Sequence, residues 1–449
     1  MNKFTRYSAR ASLAAVGVRM RQMGIWDTIK KHVEIKQKII DHSPLDKLVD
    51  ALINILAGGH GMVEVNTRVR PDEGLQRAFG RARCAEQSVV SETLNKCDEV
   101  RVEQMRQALK EIHQSHSQSY RHPYARQNSV LDVDMSGMPA GRQGEGVSKG
   151  YFSGQKNRRG RQLGRVVATL YDEIVVERLY HGKRQLDKSL TELVEAAAHV
   201  LELNEYRRSR VILRVDAGGG TVDDINWMLS QSYQFLTKVK TWSQARKMAL
   251  SVTTWYPDPK VDGREVGWVE APYEYDRPTR QLTIRKLKDN GEWSYHALVF
   301  TLTNDQLFWL ARQPILNAPT PQQVLFAALA AYDLRSGGIE TSNKGSKQGL
   351  GITKRNKRLF SAQEMLVLLA QLAYNLITWT RISLAAAHRP FIKFGVLRMV
   401  RDMFHIPGQI LLDAQGHVIQ ITLRAKHPGA SSFVQALSSN HLSLILDEI

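Results

Sequence analysis

The chain has 449 residues, of which 43% are apolar, and it carries a formal net charge of +18 from 62 basic and 44 acidic residues. This length is too great for one simple core, and the basic excess favours a polyanionic partner, nucleic acid before membrane, over an unrelated basic enzyme. The two cysteines, Cys84 and Cys97, lack metal-ligand spacing and exclude a disulfide framework, which suits a reducing compartment.

The sequence gives no sign of a membrane partner or a signal peptide. No uninterrupted apolar run reaches the roughly 20 residues that span a bilayer. The longest candidate, residues 365–382, contains Gln371, Asn375, Thr378 and Arg381. The N-terminus has arginines but no clean apolar stretch followed by a cleavage site. We therefore expect a cytoplasmic protein.

Residues 1–118 are predicted to form an N-terminal helical domain. Apolar residues recur at helical spacing over 45–56, where Ser43 can cap the helix and Pro44 takes a favoured first position. A second helical pattern covers 100–112. The arginines between the two helices fit a DNA-binding unit, and they fit equally well a helical cap whose basic side is only solvated.

After a polar linker, two strand-like runs end in acidic residues. The first, residues 129–137, contains Asp132 and Asp134, which share one face, so alternation does not choose between them. The second, residues 211–215, ends at Asp216. The strands, with a helix between them, indicate an α/β core.

A glycine-rich basic segment follows the first acidic strand. It suits close approach to a phosphate backbone, because glycine allows tight contact and the cations neutralise phosphates. A flexible linker is the alternative. Its aromatic residues are Tyr151 and Phe152, and the cations predicted to bind DNA are Lys149, Lys156, Arg158, Arg159 and Arg161.

The rest of the chain divides by composition. Residues 250–303 form a β-rich insertion, since strand-like runs alternate there with turn residues. The chain then becomes helical over 304–403, and residues 404–449 contain a hairpin, residues 409–424, and a tail.

Tyr332, Arg335, Glu340 and Lys347 recur at near-helical spacing between two apolar segments. A lone glutamate on a helix is usually solvated, whereas a glutamate accompanied by a tyrosine, an arginine and a lysine suits a metal or phosphate site. Three carboxylates can hold two divalent cations for phosphodiester transfer, and Mg²⁺ prefers oxygen ligands.

These residues resemble the signature of DDE transposases of bacterial insertion sequences, in which Tyr, Arg, Glu and Lys are separated by two, three and six residues. Here four residues separate Arg335 from Glu340. The first aspartate of that family is followed, after one residue, by Thr or Ser, which selects Asp134 with Ser136. Its second aspartate ends an apolar strand before small residues, as Asp216 does.

The resemblance implies an α/β fold with a ribonuclease H-like core, in parts 127–249 and 304–403 around the insertion 250–303. It implies Mg²⁺, or Mn²⁺ in its place, held by the catalytic residues Asp134, Asp216 and Glu340. Tyr332, Arg335 and Lys347 would hold DNA phosphates. The partners would be transposon ends and target DNA, bound by a homodimer at the nucleoid, with cleavage followed by attack of a 3′-hydroxyl on the target.

One inserted residue turns an α-helix by about 100°, so Arg335 and Glu340 share a face only if a π-bulge absorbs it. We predict the bulge at residues 336–338, a helix break there being the alternative. Two other functions stay open. Residues 215–223 resemble the phosphate-binding turn of actin-like ATPases, and a non-catalytic DNA-binding relative could keep the fold.

Overall fold

The computed structural model describes residues 3–39, 41–150, 152, 155, 157–438 and 442–447. The chain folds as two compact units, each built from separate stretches. The first unit comprises Met1–Ser117, Met138–Ser148 and Asn343–Ile449, and the second comprises Gln118–Gly137 and Lys149–Ser342.

The β-strands are β1 Phe4–Ser8, β2 Ser129–Pro139, β3 Ser148–Lys149, β4 Arg159–Ala168, β5 Glu173–His181, β6 Val211–Val215, β7 Gln234–Lys238, β8 Tyr256–Pro257, β9 Arg264–Trp268, β10 Arg280–Leu287, β11 Trp293–Phe300, β12 Gly408–Leu412, β13 Val418–Leu423 and β14 Ser443–Leu446. The α-helices are α1 Ala11–Gln22, α2 Ile25–His32, α3 Pro44–Leu56, α4 Glu73–Ala78, α5 Gln87–Asn95, α6 Glu99–His116, α7 Leu190–Leu201, α8 Glu205–Ser209, α9 Val222–Ser230, α10 Trp242–Ala249, α11 Asn304–Leu310, α12 Pro321–Asp333, α13 Thr341–Gln348, α14 Phe360–Ala387, α15 Val396–Arg401 and α16 Ala430–Leu437. Two short π-helical segments cover Val65–Val69 and Ser336–Glu340.

The two helices predicted in the first unit are confirmed. At the start of α3 the Ser43 hydroxyl accepts a hydrogen bond from the Asp46 amide at 3.1 Å, and Pro44 is the first helical residue. Gly58, just beyond the end of α3, has a φ of +73°, a conformation that glycine adopts without strain. Helix α6 covers the second predicted pattern and buries its apolar residues.

The first unit also contains a strand that local patterns did not reveal. Phe4–Ser8 pairs antiparallel with β12, from Phe4 opposite Leu412 to Ser8 opposite Gly408, so residues 1–118 are not wholly helical as predicted. Its partner lies some four hundred residues away, and short edge segments carry little periodic signal. The predicted C-terminal hairpin is confirmed as β12 and β13, which pair antiparallel, while β14 adds in parallel.

Helix α14 is the long apolar helix of the first unit. In the part of the chain that the structure describes, it alone is long and apolar enough to cross a membrane. However, 89% of the most apolar 18-residue stretch of this helix is buried within the fold, as in the core helix of a soluble protein. The stretch therefore serves as packing surface in this structure.

Both cysteines are buried and free. Burial raises the pKa of the Cys97 thiol to about 12, with Asp98 adding to the effect. Burial also raises the pKa of Cys84, and nearby Asp50 raises it further. The thiols therefore stay protonated at neutral pH.

The second unit is built on a large mixed sheet with helices on both faces. Its strand order is β3-β4-β2-β6-β7-β11-β10-β9-β8, and β5 pairs with β4. Strands β2, β6 and β7 are parallel neighbours. The predicted β-rich insertion extends this same sheet, because β11 pairs with β7.

Alternation along β2 and β6 sends side chains to two cores. Leu131, Val133 and Leu213 join a core that includes residues of α7 and α9. Val130 and Ile212 join the opposite core, which includes residues of α11 and α12. Because Asp132 alternates with Leu131 and Val133, it lies on the α12 side of the sheet.

Candidate active site

Asp134 lies within β2, which continues to Pro139, so it does not end its strand as predicted, whereas Asp216 directly follows the end of the parallel neighbour β6. The register pairs Val133 of β2 with Val215 of β6, so the next residue on each strand is an aspartate. Burial raises the pKa of Asp134, the charge of Asp216 raises it further, and Arg335 opposes both effects. A carboxylate whose pKa is raised by the charge of a neighbouring carboxylate belongs to a site that gains from a cation.

The segment that carries the other predicted residues contains the expected π turn. Helix α12 ends at Asp333, and Ser336–Glu340 is π-helical before α13 begins. The Thr341 hydroxyl donates a hydrogen bond to the Ser336 carbonyl at 3.3 Å. The predicted π-bulge at residues 336–338 is therefore confirmed, and the helix does not break at its two glycines.

Arg335 connects Asp134 of β2 to Glu340. Its Nη2 lies 3.1 Å from Asp134 Oδ1 and donates to the Val133 carbonyl at 3.0 Å. Its Nη1 lies 3.9 Å from Glu340 Oε1, so the π turn keeps the two side chains on one face. Its Nε is buried without a hydrogen-bond partner. Arg335 supplies the positive charge between these carboxylates, and one of its donors is unused.

Tyr332 stands beside the second strand end. Its hydroxyl donates to Asp216 Oδ1 at 3.4 Å. Burial raises the pKa of Tyr332, and the charge of Asp216 raises it further, so the phenol stays protonated and can donate. Together, Tyr332 and Arg335 connect the helical segment to Asp216 and Asp134.

Lys238 is a further cation of this region that the sequence did not single out. It ends β7, the parallel neighbour of β6. Burial lowers the pKa of Lys238, while the carboxylates of Asp216 and Asp333 oppose that change. The signal in the sequence that could have identified Lys238 was its place at the end of a third strand-like run.

Asp132, the alternative first aspartate, has a different environment. It is fully buried, and Arg214 donates two hydrogen bonds to its carboxylate, of 2.7 and 2.8 Å. This leaves Asp134 as the aspartate of β2 that lies beside Asp216. Arg214 was also missed from sequence, although an arginine inside the apolar run of β6 requires a buried partner.

The donor set suits a divalent cation in chemistry but is not gathered as one cluster. Asp134 and Asp216 supply oxygen ligands of the kind that Mg²⁺ prefers. The Glu340 side chain is 59% exposed and reaches the group through Arg335. Within the described ranges, no three His, Cys, Asp or Glu side chains are grouped closely enough to hold an ion together.

The glycines after Asp216 are explained by packing. A Cβ on Gly220 would lie 1.9 Å from the Lys238 carbonyl oxygen, and one on Gly219 would lie 2.8 Å from a Val215 methyl. This run therefore lets the turn lie against β7. A phosphate-binding loop is not needed to account for it.

The basic segment divides into exposed and buried cations. Lys149 and Arg158 are exposed, and Arg159 is half-buried. Arg161 is 1% exposed, so its predicted contact with DNA is wrong for this structure, because β4 places that side chain inside the fold. Lys156 and Tyr151 lie outside the described residues. Lys347 is half-buried on α13 and belongs to the first unit.

The chain is similar to a known protein family over most of its length. A family model described as transposase DDE domain group 1 matches residues 6–442. No curated protein gives a significant match. One solved structure, a piggyBac transposase synaptic complex with hairpin DNA, is 10% identical over 86% of this chain and 80% of that chain, with a TM-score of 0.46.

Proposed function

The chain belongs to the transposase DDE domain group 1 family, and from this premise we propose that it cuts DNA at transposon ends and joins the 3′-hydroxyl ends to target DNA. The observation that carries the proposal is the juxtaposition of Asp134 on β2 with Asp216 just after the parallel strand β6, and the link from Asp134 through Arg335 to Glu340. These three acids are the proposed catalytic residues.

We propose that the three carboxylates hold Mg²⁺, which Mn²⁺ can replace. DDE transposases generally use divalent metal ions. Paired divalent cations, when bound, activate the attacking oxygen and stabilise the leaving one. The supporting observation is the donor set, since oxygen ligands dominate and Asp134 and Asp216 repel each other in the absence of a cation.

The other side chains act on the DNA backbone in this proposal. Tyr332 donates from a protonated hydroxyl, and Arg335 has a fork of donors that suits a phosphate. Lys347 follows on α13 as a further phosphate ligand. Positioning by fixed donors lowers the barrier because the reacting groups need not be reordered.

The finer assignments extend the family resemblance. We propose a ribonuclease H-like core and membership of the Tyr-Arg-Glu-Lys group from bacterial insertion sequences. We also propose a homodimer on DNA, acting in the cytoplasm at the nucleoid. Light scattering of the protein with and without an end duplex measures the dimer: a doubled protein mass only with DNA supports it.

A nicking assay tests the central proposal. The purified chain is incubated with duplex DNA from the flanks of its gene, with Mg²⁺, with Mn²⁺ or with EDTA. Metal-dependent nicks at defined positions, followed by strand joining, are expected. Binding without nicking would favour a non-catalytic DNA-binding relative. ATP hydrolysis without DNA cleavage would favour an ATPase.

Replacing Lys149, Arg158 and Arg159 with glutamine should weaken DNA binding and flatten its salt dependence. These cations lie on one glycine-rich segment and are exposed or half-exposed. Each phosphate contact contributes about 0.9 to the slope of log K against log salt, so the slope should fall by roughly 2 to 3. Fluorescence anisotropy at several salt concentrations measures it.

A matched triple variant separates a local contact from a change in net charge. Lys260, Lys286 and Lys288 are exposed cations of the β8–β11 region, and their replacement with glutamine removes the same charge. This variant should keep most of the wild-type slope. Equal slopes for the two triple variants would count against a DNA path along the glycine-rich segment.

A further inference from the structure

The residues two positions before Asp134 and Asp216 form a buried ion pair. Asp132 and Arg214 are register partners on the parallel strands β2 and β6. Their side chains form a bidentate pair, with 2.7 Å from Nε to Oδ1 and 2.8 Å from Nη2 to Oδ2. Two residues later come Asp134, on the same face of β2, and Asp216, just beyond the end of β6.

The same pair holds both ends of the helical segment opposite. Arg214 Nη1 donates to the Ala331 carbonyl at 3.1 Å, immediately before Tyr332. Further along, a Cβ on Gly338 would lie 2.7 Å from Asp132 Oδ2 and 2.7 Å from the Thr169 methyl. The π turn therefore rests its backbone directly on the Asp132 carboxylate, between Arg335 and Glu340.

We propose that Asp132 and Arg214 are positioning residues of the cleavage reaction. The planar fork of Arg214 fixes Asp132 in one orientation, and Asp132 in turn sets the height of the π turn above the sheet. This contact sets the distance from Asp134 and Asp216 to the helical segment that carries Arg335 and Glu340. Neither Asp132 nor Arg214 touches the substrate. This inference rests on the proposed function, because it concerns the geometry of that same site.

The π turn contains two glycines that allow a matched test. Nothing lies within 4 Å of a Cβ added to Gly337, whereas one added to Gly338 meets Asp132 and Thr169. Both replacements remove one glycine from the same turn, so their effects on chain flexibility are similar. Asp132 cannot swing aside cheaply, because Arg214 holds both of its oxygens.

Gly338→Ala should lower kcat for DNA nicking by about a hundredfold, since a displacement near 1 Å costs that much in a positioned site. KM for the DNA should change little. Gly337→Ala should nick at about the wild-type rate. Equal rates for the two variants, with both folded by thermal unfolding, would overturn the proposal.

A second variant distinguishes positioning from stability. Asp132→Leu combined with Arg214→Met replaces the pair with apolar side chains, and such replacements often leave stability unchanged or higher. The folded double variant should lose nicking about as strongly as Gly338→Ala. A folded double variant that keeps the wild-type kcat would overturn the positioning role, whatever its Tm.

Mn²⁺ affinity, measured by electron paramagnetic resonance without DNA, gives a readout that does not need cleavage. Gly338→Ala should bind Mn²⁺ at least about tenfold more weakly than Gly337→Ala, as for other supports of metal ligands. If the wild type never nicks DNA, the proposed function fails while this comparison still decides the positioning role. Equal Mn²⁺ affinities would then overturn it.

Discussion

Replacing Asp134 with asparagine is expected to abolish metal-dependent DNA cleavage, with a loss of at least about a thousandfold in rate. The change keeps the size of the side chain but removes the charge that a divalent cation requires. Asp216→Asn and Glu340→Gln should have losses of the same order. Single-turnover nicking of an end duplex in Mg²⁺ measures all three.

The controls for this prediction are binding and a neighbouring acid. All three variants should still bind the end duplex, because the DNA is held mainly by cations. Asp223 is exposed on α9 a few residues after Asp216, and Asp223→Asn should cleave like the wild type. Cleavage at the wild-type rate by Asp134→Asn would remove β2 from the active site.

Arg165→Met is expected to destabilise the second unit by about 3–5 kcal/mol, because it leaves a buried carboxylate without its partner. Arg165 and Glu177 have side chains that are 1% and 0% exposed, with Nε 2.7 Å from Oε1. Arg165 also donates to the Ser342 hydroxyl at 3.0 Å. Urea unfolding followed by circular dichroism measures the loss.

The loss should shrink as the pH falls. Burial raises the pKa of Glu177, and Arg165 opposes that change in the wild type. Without the arginine, the folded variant prefers neutral Glu177, so acid protonates the group and relieves the buried charge. The difference in unfolding free energy between Arg165→Met and the wild type should therefore become smaller from neutral to acidic pH. Urea unfolding of both proteins at several pH values measures it.

Arg178 provides the matched control on the neighbouring strand. It pairs with Glu192 at 2.8 Å, but the side chains are 26% and 40% exposed. Arg178→Met should cost less than about 1 kcal/mol, since water screens such pairs. Similar losses for the two variants would mean that burial does not govern the contribution of these ion pairs.

Local signals in the sequence predicted local structure well. The cap at Ser43, the hairpin turn after β12 and the π turn at the paired glycines were all anticipated, because each depends on a few adjacent residues. The end of β6 before Asp216 could also be placed, since a charged residue after an apolar run marks a strand end, but the same rule was wrong for β2, which continues past Asp134 to Pro139.

Long-range pairing was the part that sequence could not supply. Strand β1 needs a partner from the other end of the chain, and no local pattern shows it. Arg161 resembles its neighbours in composition, yet the register of β4 buries it. The Asp132–Arg214 pair likewise depends on which strands become neighbours, so a buried arginine could be suspected but its partner could not be identified.

The π turn at Ser336–Glu340 bears on how such sites are compared between chains. One residue more lies between Arg335 and Glu340 than in the signature, yet the two side chains still meet at 3.9 Å. An insertion of this kind leaves the two side chains on the same face, although it changes the number of residues between them in a sequence alignment. A search that fixes the number of residues between the arginine and the glutamate would therefore discard chains whose sites have the same shape. The property that selection can preserve here is that Arg335 and Glu340 share one face of the helical segment. The number of residues between them is free to vary by one.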